Sequence, residues 1–394
     1  MRIVYYTKPA LLDEALEHIR ALSSLVELHA IVEISPEGKQ SSLFDMSGYE
    51  FKSTIINAQE ATPKLFPESL RKYWKDCASF SFIVHTCSRS IHPRTWSVSR
   101  AAMRYISELK PDIFHLDDVS LRLAPLLFQL GRTLMVLNVH DAEQHFGEHN
   151  WRSDLARRLT FKRVSQFILH SSFSRHQFLN RYAVREDSVS MVPLGIYDIY
   201  REWLTDEMQE QPKTILFFGR ISPYKGIDVY IRAAEIVSAK IPLCRFIIAG
   251  RTIRGYKLPV IPELQQGCIF EVHERYLSNN EVARFITQSS MVVCPYLDAS
   301  QSGVILTAYA FNKPVIATNV GGLPEYVWEG RTGTIVPPND ANALANAIIA
   351  ALSNKSTELS SSTVYDALRK NELSWTKGAE TTVQIYETIT RSHR

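Results

Sequence analysis

The 394-residue sequence has little cysteine and almost no net charge. Its five cysteines (Cys77, Cys87, Cys244, Cys268 and Cys294) are scattered, odd in number and form no C-x-x-C pair. That excludes a disulfide framework and a thiolate zinc site, and fits thiols of a reducing compartment. Lys and Arg total 44 against 41 Asp and Glu, so the balance of +3 excludes a strongly basic nucleic-acid binder. Long hydrophobic runs are missing too. The most apolar long window, 121–139, is broken by Arg122, Pro125, Gln129 and Arg132 and falls short of a bilayer span. The opening MRIVYYTKPA enters a strand-like run at once, so no signal peptide is expected and the expected setting is cytoplasmic. With 45% hydrophobic and 22% charged residues the chain is not a disordered one. At about 150 residues per domain, two sizeable domains are expected.

What is present is an alternation of short apolar runs with helical periodicity. RIVYY (2–6), LVELHAIVEI (25–34), IFHL (113–116), TLMVLNV (133–139), QFILH (166–170) and VSMV (189–192) read as strands. Leu12, Ala15, Leu16, Ile19 and Leu22 recur at helical spacing between the first two. Continuous Val/Ile/Leu runs suit parallel strands covered on both faces. Segment 197–213 is polar and acidic and ends at Pro212, after which TILFF (214–218) restarts the pattern. RFIIA (245–249), CIFEV (268–272), MVVC (291–294) and PVIA (314–317) follow, and a terminal helix is expected from Trp375 onward. The division expected is 1–197, a linker over 198–213, a second block over 214–372, and a closing helix over 373–394.

Two stretches carry chemistry. In FFGRISPYKGIDVYIRA (217–233) a strand ends at Gly219, Arg220 follows, and Lys225-Gly226 opens a helix. Two cations thereby stand at the carboxyl end of a parallel strand, where open α/β sheets bind ligands, and a guanidinium with an ammonium suits a diphosphate. Taken alone, the stretch is equally an ordinary surface turn. In the second, 291–327, a strand runs into Ser300, Gln301, Ser302 and Gly303, and a helix is expected from Val304 to Phe311. Free N–H groups at that helix start make an anion site, whereas a Ser-capped helix is the plain local alternative.

Together these stretches resemble the family-four retaining, nucleotide-sugar-dependent glycosyltransferases. The likeness is densest over 214–345, in the G-R-x-x-x-x-K-G element, RFIIAGR, YLSNNEVARFITQSSMVVCPY, KPVIATNVGGLPE and GTIVPPNDANALANAI. In the first half PDIFHLDD (111–118), VHDAEQHFGE (139–148), SSFSRHQFL and SVSMVPLGI carry it. The resemblance implies an α/β GT-B fold, two doubly wound Rossmann-like domains facing across a cleft. Arg220 and Lys225 would contact and stabilise the leaving diphosphate. Gly219, Ser300, Gln301, Ser302, Gly303, Val304 and Thr307 would complete the donor site, with Tyr276 near the nucleobase. His140 would face the transferred sugar and the acceptor, with Asp141 behind it, and the last helix would cross back onto the first domain. The implied reaction moves a sugar from a nucleotide diphosphate sugar to an acceptor hydroxyl with retention, without metal or other cofactor, in glycan, glycolipid or polysaccharide synthesis.

Three positions depart from the family pattern. Ala299 and Thr307 stand where two glutamates are usual, Thr7-Lys8-Pro9-Ala10 replaces a glycine pair after the first strand, and Asn312 replaces a glycine. Two other readings therefore stand: a sugar-nucleotide epimerase using His140 and Glu148, and a non-catalytic sugar-nucleotide-binding homologue. His115 is expected to pack or hydrogen-bond in the first core. His145 and His149 have metal-pair spacing but no evident third ligand. Finally, 151–169 combines Arg152, Arg157, Arg158, Lys162 and Arg163 with Trp151, Leu155, Leu159 and Phe167. The favoured reading is a solvated basic face over a packed apolar one. The alternatives are attraction of an anionic acceptor and peripheral contact with anionic lipid at the inner face of a membrane.

Overall fold

The computed structural model describes residues 1–39, 43, 46, 49–51, 53–57, 66–142, 151–353 and 362–393. The apolar runs form two separate sheets. The first contains β1 (Arg2–Thr7), β2 (Glu27–Ile34), β3 (Ile55–Asn57), β4 (Ser79–Val84), β5 (Ile113–Leu116), β6 (Leu134–Asn138), β7 (Gln166–Leu169) and β8 (Val189–Met191). Their spatial order is β3-β4-β2-β1-β5-β6-β7-β8, parallel except for β3 at the edge. The second contains β9 (Thr214–Phe218), β10 (Arg245–Ala249), β11 (Ile269–His273), β12 (Met291–Cys294), β13 (Val315–Thr318) and β14 (Gly333–Val336), in the order β11-β10-β9-β12-β13-β14. Strands β3, β4 and β14 stand beyond those expected. In β4 the polar Ser79 and Ser81 interrupt the apolar run, and Ser81 spends its hydroxyl on Tyr105, at 2.9 Å.

In each sheet the strand order reverses beside the first strand: between β1 and β5, and between β9 and β12. Ligands of open α/β sheets bind outside the carboxyl ends of strands at such points. Thr7-Lys8 and Asp117-Asp118 flank one crevice, and Gly219-Arg220 and 295–302 flank the other.

Pleat alternation sends Ile3 and Tyr5 to one core, with Leu12, Leu16, Ile19 and Leu22 of α1 (Leu12–Ser23). Val4 and Tyr6 enter a second core with Ala102, Met103 and Ile106 of α2 (Pro93–Glu108). The first core continues into the second lobe through Val192, Leu194, Ile196 and Tyr197.

The expected linker is more ordered than its composition suggests. Asp198–Trp203 forms a short 3-10 helix with Ile199 and Tyr200 buried. Acids of α1 hold it: Tyr197 donates to Glu14 at 2.6 Å, the Ile199 amide to Glu17 at 2.6 Å, and Tyr200 to Asp13 at 2.9 Å. Burial pushes the Glu17 carboxyl up to about 8. The last helix, α10 (Trp375–Ser392), packs against α1, donates from Trp375 Nε1 to the Ile196 carbonyl at 2.7 Å, and pairs Tyr386 with His115. Between them in chain order lie α3 (Trp151–Phe161), α4 (Ser172–Arg181), α5 (Ile227–Ser238), α6 (Asn279–Gln288), α7 (Gly303–Ala310), α8 (Ala341–Ser353) and α9 (Ser362–Lys370).

One expectation is overturned at α3. Three of its large apolar residues are not packed: Trp151, Leu155 and Leu159 are 64%, 51% and 37% exposed. Ala156, Thr160 and the partly buried Phe161 pack inward instead, and Phe167 beyond the helix is buried as expected.

Candidate functional site

The second-lobe crevice begins where β9 ends. Gly219 takes φ +113°, and a Cβ there would stand 3.3 Å from Val304 Cγ2. Arg220 follows, exposed at the strand's carboxyl end. The chain then makes a 3-10 turn, Pro223–Lys225, closed by Gly226 at φ +65°. Only glycine fits at 226, since a Cβ would lie 1.9 Å from the Pro295 carbonyl oxygen. That close approach, with the Leu297 amide donating to Tyr224 O at 2.7 Å, ties the turn to the exit of β12. The Lys225 ammonium accordingly sits 3.6 Å from the centre of the Tyr296 ring, a cation–π contact. The Tyr296 hydroxyl in turn lies 3.3 Å from Ser302 Oγ. Gly219, Lys225, Ser302 and Val304 are thus brought together.

Because Ser302 turns toward Tyr296, it does not cap α7. It occupies the N-cap position, yet its side chain makes no bond to the helix. The plain reading of a Ser-capped helix fails here. Without that cap the helix start presents amide donors and the positive end of its dipole. The helix runs Gly303–Ala310, one residue earlier than expected at each end. Behind the loop a Cβ at Gly322 would lie 2.4 Å from Ser300 O, so the glycine lets the loop backbone pack directly on its neighbour. Ala299 is buried, and Thr307 is buried with its hydroxyl donating to the Gly303 carbonyl at 2.8 Å. Tyr276, half-buried, follows β11, with its carbonyl accepting from Arg275 at 3.2 Å.

In the first lobe His140 follows β6 and is buried. Its Nε2 donates to the Asp117 carbonyl at 2.8 Å, and its Nδ1 faces Glu14 Oε1 at 3.1 Å. The Gln301 side-chain amide reaches the same Nδ1 at 3.3 Å from the opposite lobe. The Asp117 carboxylate accepts from Tyr5 (2.6 Å), Thr7 (2.7 Å) and Asn138 (2.8 Å). Burial disfavours charge on His140, but the Glu14 charge and the Asp117 hydrogen bond outweigh it and lift the imidazole to about 10. Burial likewise works against Asp117, yet the bond and charge from His140, with Tyr5 and Thr7 donating, hold it well below the usual carboxylate range. Glu14 is pushed up by burial, against the pull of His140. Ligand atoms of Glu14, Asp117 and His140 lie within 4.8 Å of one another.

Around this cluster three histidines stay neutral. Burial lowers His18, His115 and His170 to about 3, about 4 and about 3. His115 hydrogen-bonds Asn138 at 2.9 Å, as expected of a core histidine. Asp141 is half-buried beside His140, its carbonyl accepting from Arg157 at 2.9 Å. His145, Glu148 and His149 lie outside the described residues.

Several residues escaped sequence reasoning. Glu14 looks like one more acid on an amphipathic helix, and only its position just after β1 hints at the crevice. Glu325 accepts from the Ser172 and Phe173 amides at 2.7 and 2.8 Å, capping α4 from the other lobe. The Tyr326 hydroxyl donates to His170 O at 2.6 Å. A cavity of about 170 Å³ also lies at the ends of β1, β2 and β5, lined in part by Thr7, Lys8, Glu33, Asp118, Ser120 and Arg122. Lys8, in place of a glycine, pairs with Asp118, whose charge outweighs the cost of burial and raises the lysine.

Comparison with known proteins bears on the fold and the family. The family described as Glycosyltransferase Family 4 matches residues 62–198, and that described as Glycosyl transferases group 1 matches residues 212–354. A D-inositol 3-phosphate glycosyltransferase of Pseudarthrobacter chlorophenolicus is 24% identical over 241 residues, 58% of this chain. The chain thus spans 57% of that curated relative, little more than half its length. Among solved structures, sucrose-phosphate synthase from Thermosynechococcus elongatus superposes with a TM-score of 0.65 at 16% identity, covering 100% of both chains. HepE of Anabaena, solved in complex with UDP and glucose, gives 0.66 at 16% identity, covering 98% of this chain and 100% of its own. The fold is GT-B, and the chain belongs to the group 1, family-four glycosyltransferases.

Proposed function

We propose that the protein is a retaining, metal-independent glycosyltransferase that moves a sugar from a nucleotide diphosphate sugar to an acceptor hydroxyl. The observation that carries this reading is the uncapped start of α7, facing the His140 cluster through Gln301 and flanked by Lys225 on its aromatic platform. Amides of Gly303 and Val304, with Ser300 and Ser302, supply donors for a diphosphate, and Arg220 and Lys225 supply the positive charge. The acceptor oxygen forms its bond to the anomeric carbon on the face from which the diphosphate departs, and its proton passes to the departing phosphate oxygen. His140, held cationic, adds positive potential beside Gln301. The cavity beside Lys8 and Asp118, rich in donors and acceptors, suits a hydroxyl-bearing acceptor in glycan, glycolipid or polysaccharide synthesis. UDP in the solved HepE complex makes a uridine nucleotide the first donor to try.

A second reading has its own observation. With Ala299 buried and the Thr307 hydroxyl proton spent on Gly303, neither position offers a carboxylate to a nucleotide ribose. A homologue that binds sugar nucleotides without transferring them fits that fact. The test is a thermal-shift panel of nucleoside diphosphates and sugar nucleotides, followed by turnover of each stabilising donor. Under the first reading a donor raises the melting temperature and is consumed, and Arg220→Ala costs roughly 3 kcal/mol or more of transition-state stabilisation, mostly in kcat. Stabilisation without transfer or hydrolysis for every donor selects the second.

A further inference from the structure

Helix α3 is built inside out for a water-facing helix. At about 100° per residue, Arg158, Trp151, Lys162, Leu155, Leu159 and Arg152 fall within an arc of about 120°. All six are exposed, and the inward side carries Ala156 and Thr160. The helix's one acid, Asp154, is half-buried and lies off that arc. A further exposed aromatic residue stands on a neighbouring element. The 3-10 helix Ala124–Leu130 packs against α3 and leaves Phe128 67% exposed. Arg163 reaches across to the Gly131 carbonyl at 2.7 Å and fixes the two elements to each other. Trp151, Leu155 and Leu159 are therefore exposed on one arc with three cations, and exposed Phe128 stands on the element packed against the helix.

We propose that this face of α3, with Phe128, docks on an anionic lipid surface. Contiguous exposed apolar groups mark interaction sites. Bulky apolar tips interleaved with Arg and Lys, with no acid among the described residues of that arc, match a surface whose partner has an apolar interior beneath negative headgroups. A protein partner would have to set carboxylates between apolar pockets at that spacing, whereas headgroups rearrange around each cation. Docking is peripheral, since no helix among the described residues is long and apolar enough to cross a membrane. Arg157, on another side of the same helix, donates to the carbonyls of Asp141 and Ala142 at 2.9 and 3.3 Å, so the docked helix is braced against the chain leaving His140. The inference concerns docking alone and does not depend on the transfer reaction.

Co-sedimentation with extruded vesicles tests it, using phosphatidylcholine alone against phosphatidylcholine mixed with phosphatidylglycerol. The wild-type chain should pellet with the mixed vesicles and stay in the supernatant with the neutral ones, and added salt should release it. Each cation is worth roughly fivefold in partitioning, so Arg158→Glu/Lys162→Glu should lower it by about 25-fold or more. Leu155→Ser/Leu159→Ser should do the same with an unchanged thermal unfolding curve. Quenching of tryptophan emission by brominated lipid should be seen in the wild type and be largely lost in Trp151→Phe, which still pellets. Failure of the wild type to pellet with mixed vesicles overturns the proposal, as does pelleting of both double variants to the same extent as the wild type. A dimer dispersed by Leu155→Ser/Leu159→Ser, in a protein that ignores vesicles, also overturns it and makes the face a protein interface.

Discussion

The two lobes prepare their crevices by different means. In the second lobe the work falls to backbone. Glycines at 219, 226 and 322 permit approaches that a Cβ would block or crowd, a helix start is left uncapped, and cations stand at the strand end. In the first lobe the work falls to buried titratable side chains, with Glu14, His18, His115, Asp117, His140 and His170 in one continuous neighbourhood. Ten of the twelve histidines precede residue 198. The difference teaches that the second crevice is sensitive to shape and the first to proton concentration.

Acid should separate the lobes most strongly. His18, His115 and His170 titrate at about 3, 4 and 3 in the folded chain, below the ordinary value near 6.5. Between pH 6.5 and 4 these histidines therefore bind more protons in the unfolded state and lower stability as pH falls. The raised carboxyls of Glu14 and Glu17, which take up protons first in the folded state, offset part of that loss down to about pH 4.5. Each histidine contributes up to about 1.4 kcal/mol per pH unit across that window. Hydrogen exchange at pH 5 should accelerate in peptides from β1 and β5 well before those from β9 and β10. Uniform acceleration would erase the contrast. Asp117→Ala comes next. It strands the Tyr5, Thr7 and Asn138 donors and leaves the His140 cation with less compensation, which should cost about 3–5 kcal/mol. A loss under 1 kcal/mol in thermal unfolding would mean the network does not organise the lobe. The smallest effect on stability should come from Gly322→Ala, about 1–3 kcal/mol of overpacking against Ser300. There the informative readout is nucleotide affinity, which should weaken at least tenfold because the loop backbone must move. Unchanged affinity would show that the loop's position is not set from behind.

Much of this was legible before any coordinates. Strands such as IFHL, TILFF, RFIIA and MVVC announce themselves as continuous apolar runs, because strands buried on both faces leave little choice of side chain. Strands β3 and β4 did not, since β3 is a three-residue edge strand and the serines of β4 break its run. At the site, Gly219, Arg220, Lys225 and the 300–304 loop were legible as glycine, charge and hydroxyl placed at strand ends. The first-lobe cluster was hardly visible beyond His140. A buried Glu14 or Asp117 looks the same in sequence as a solvated one, and its meaning comes from partners such as Tyr197 and Asn138 that are remote in the chain. For α3 the sequence misled. Amphipathic composition does not say which apolar residues turn inward, and here Ala156, Thr160 and Phe161 do while Trp151, Leu155 and Leu159 stay outside.

The most direct test is a crystal structure of the wild-type chain with UDP at saturating concentration. The account predicts diphosphate oxygens within hydrogen-bonding distance of the Gly303 and Val304 amides, with the Arg220 and Lys225 side chains closing on them. A nucleotide seated elsewhere, or none seated with any nucleoside diphosphate, would contradict it.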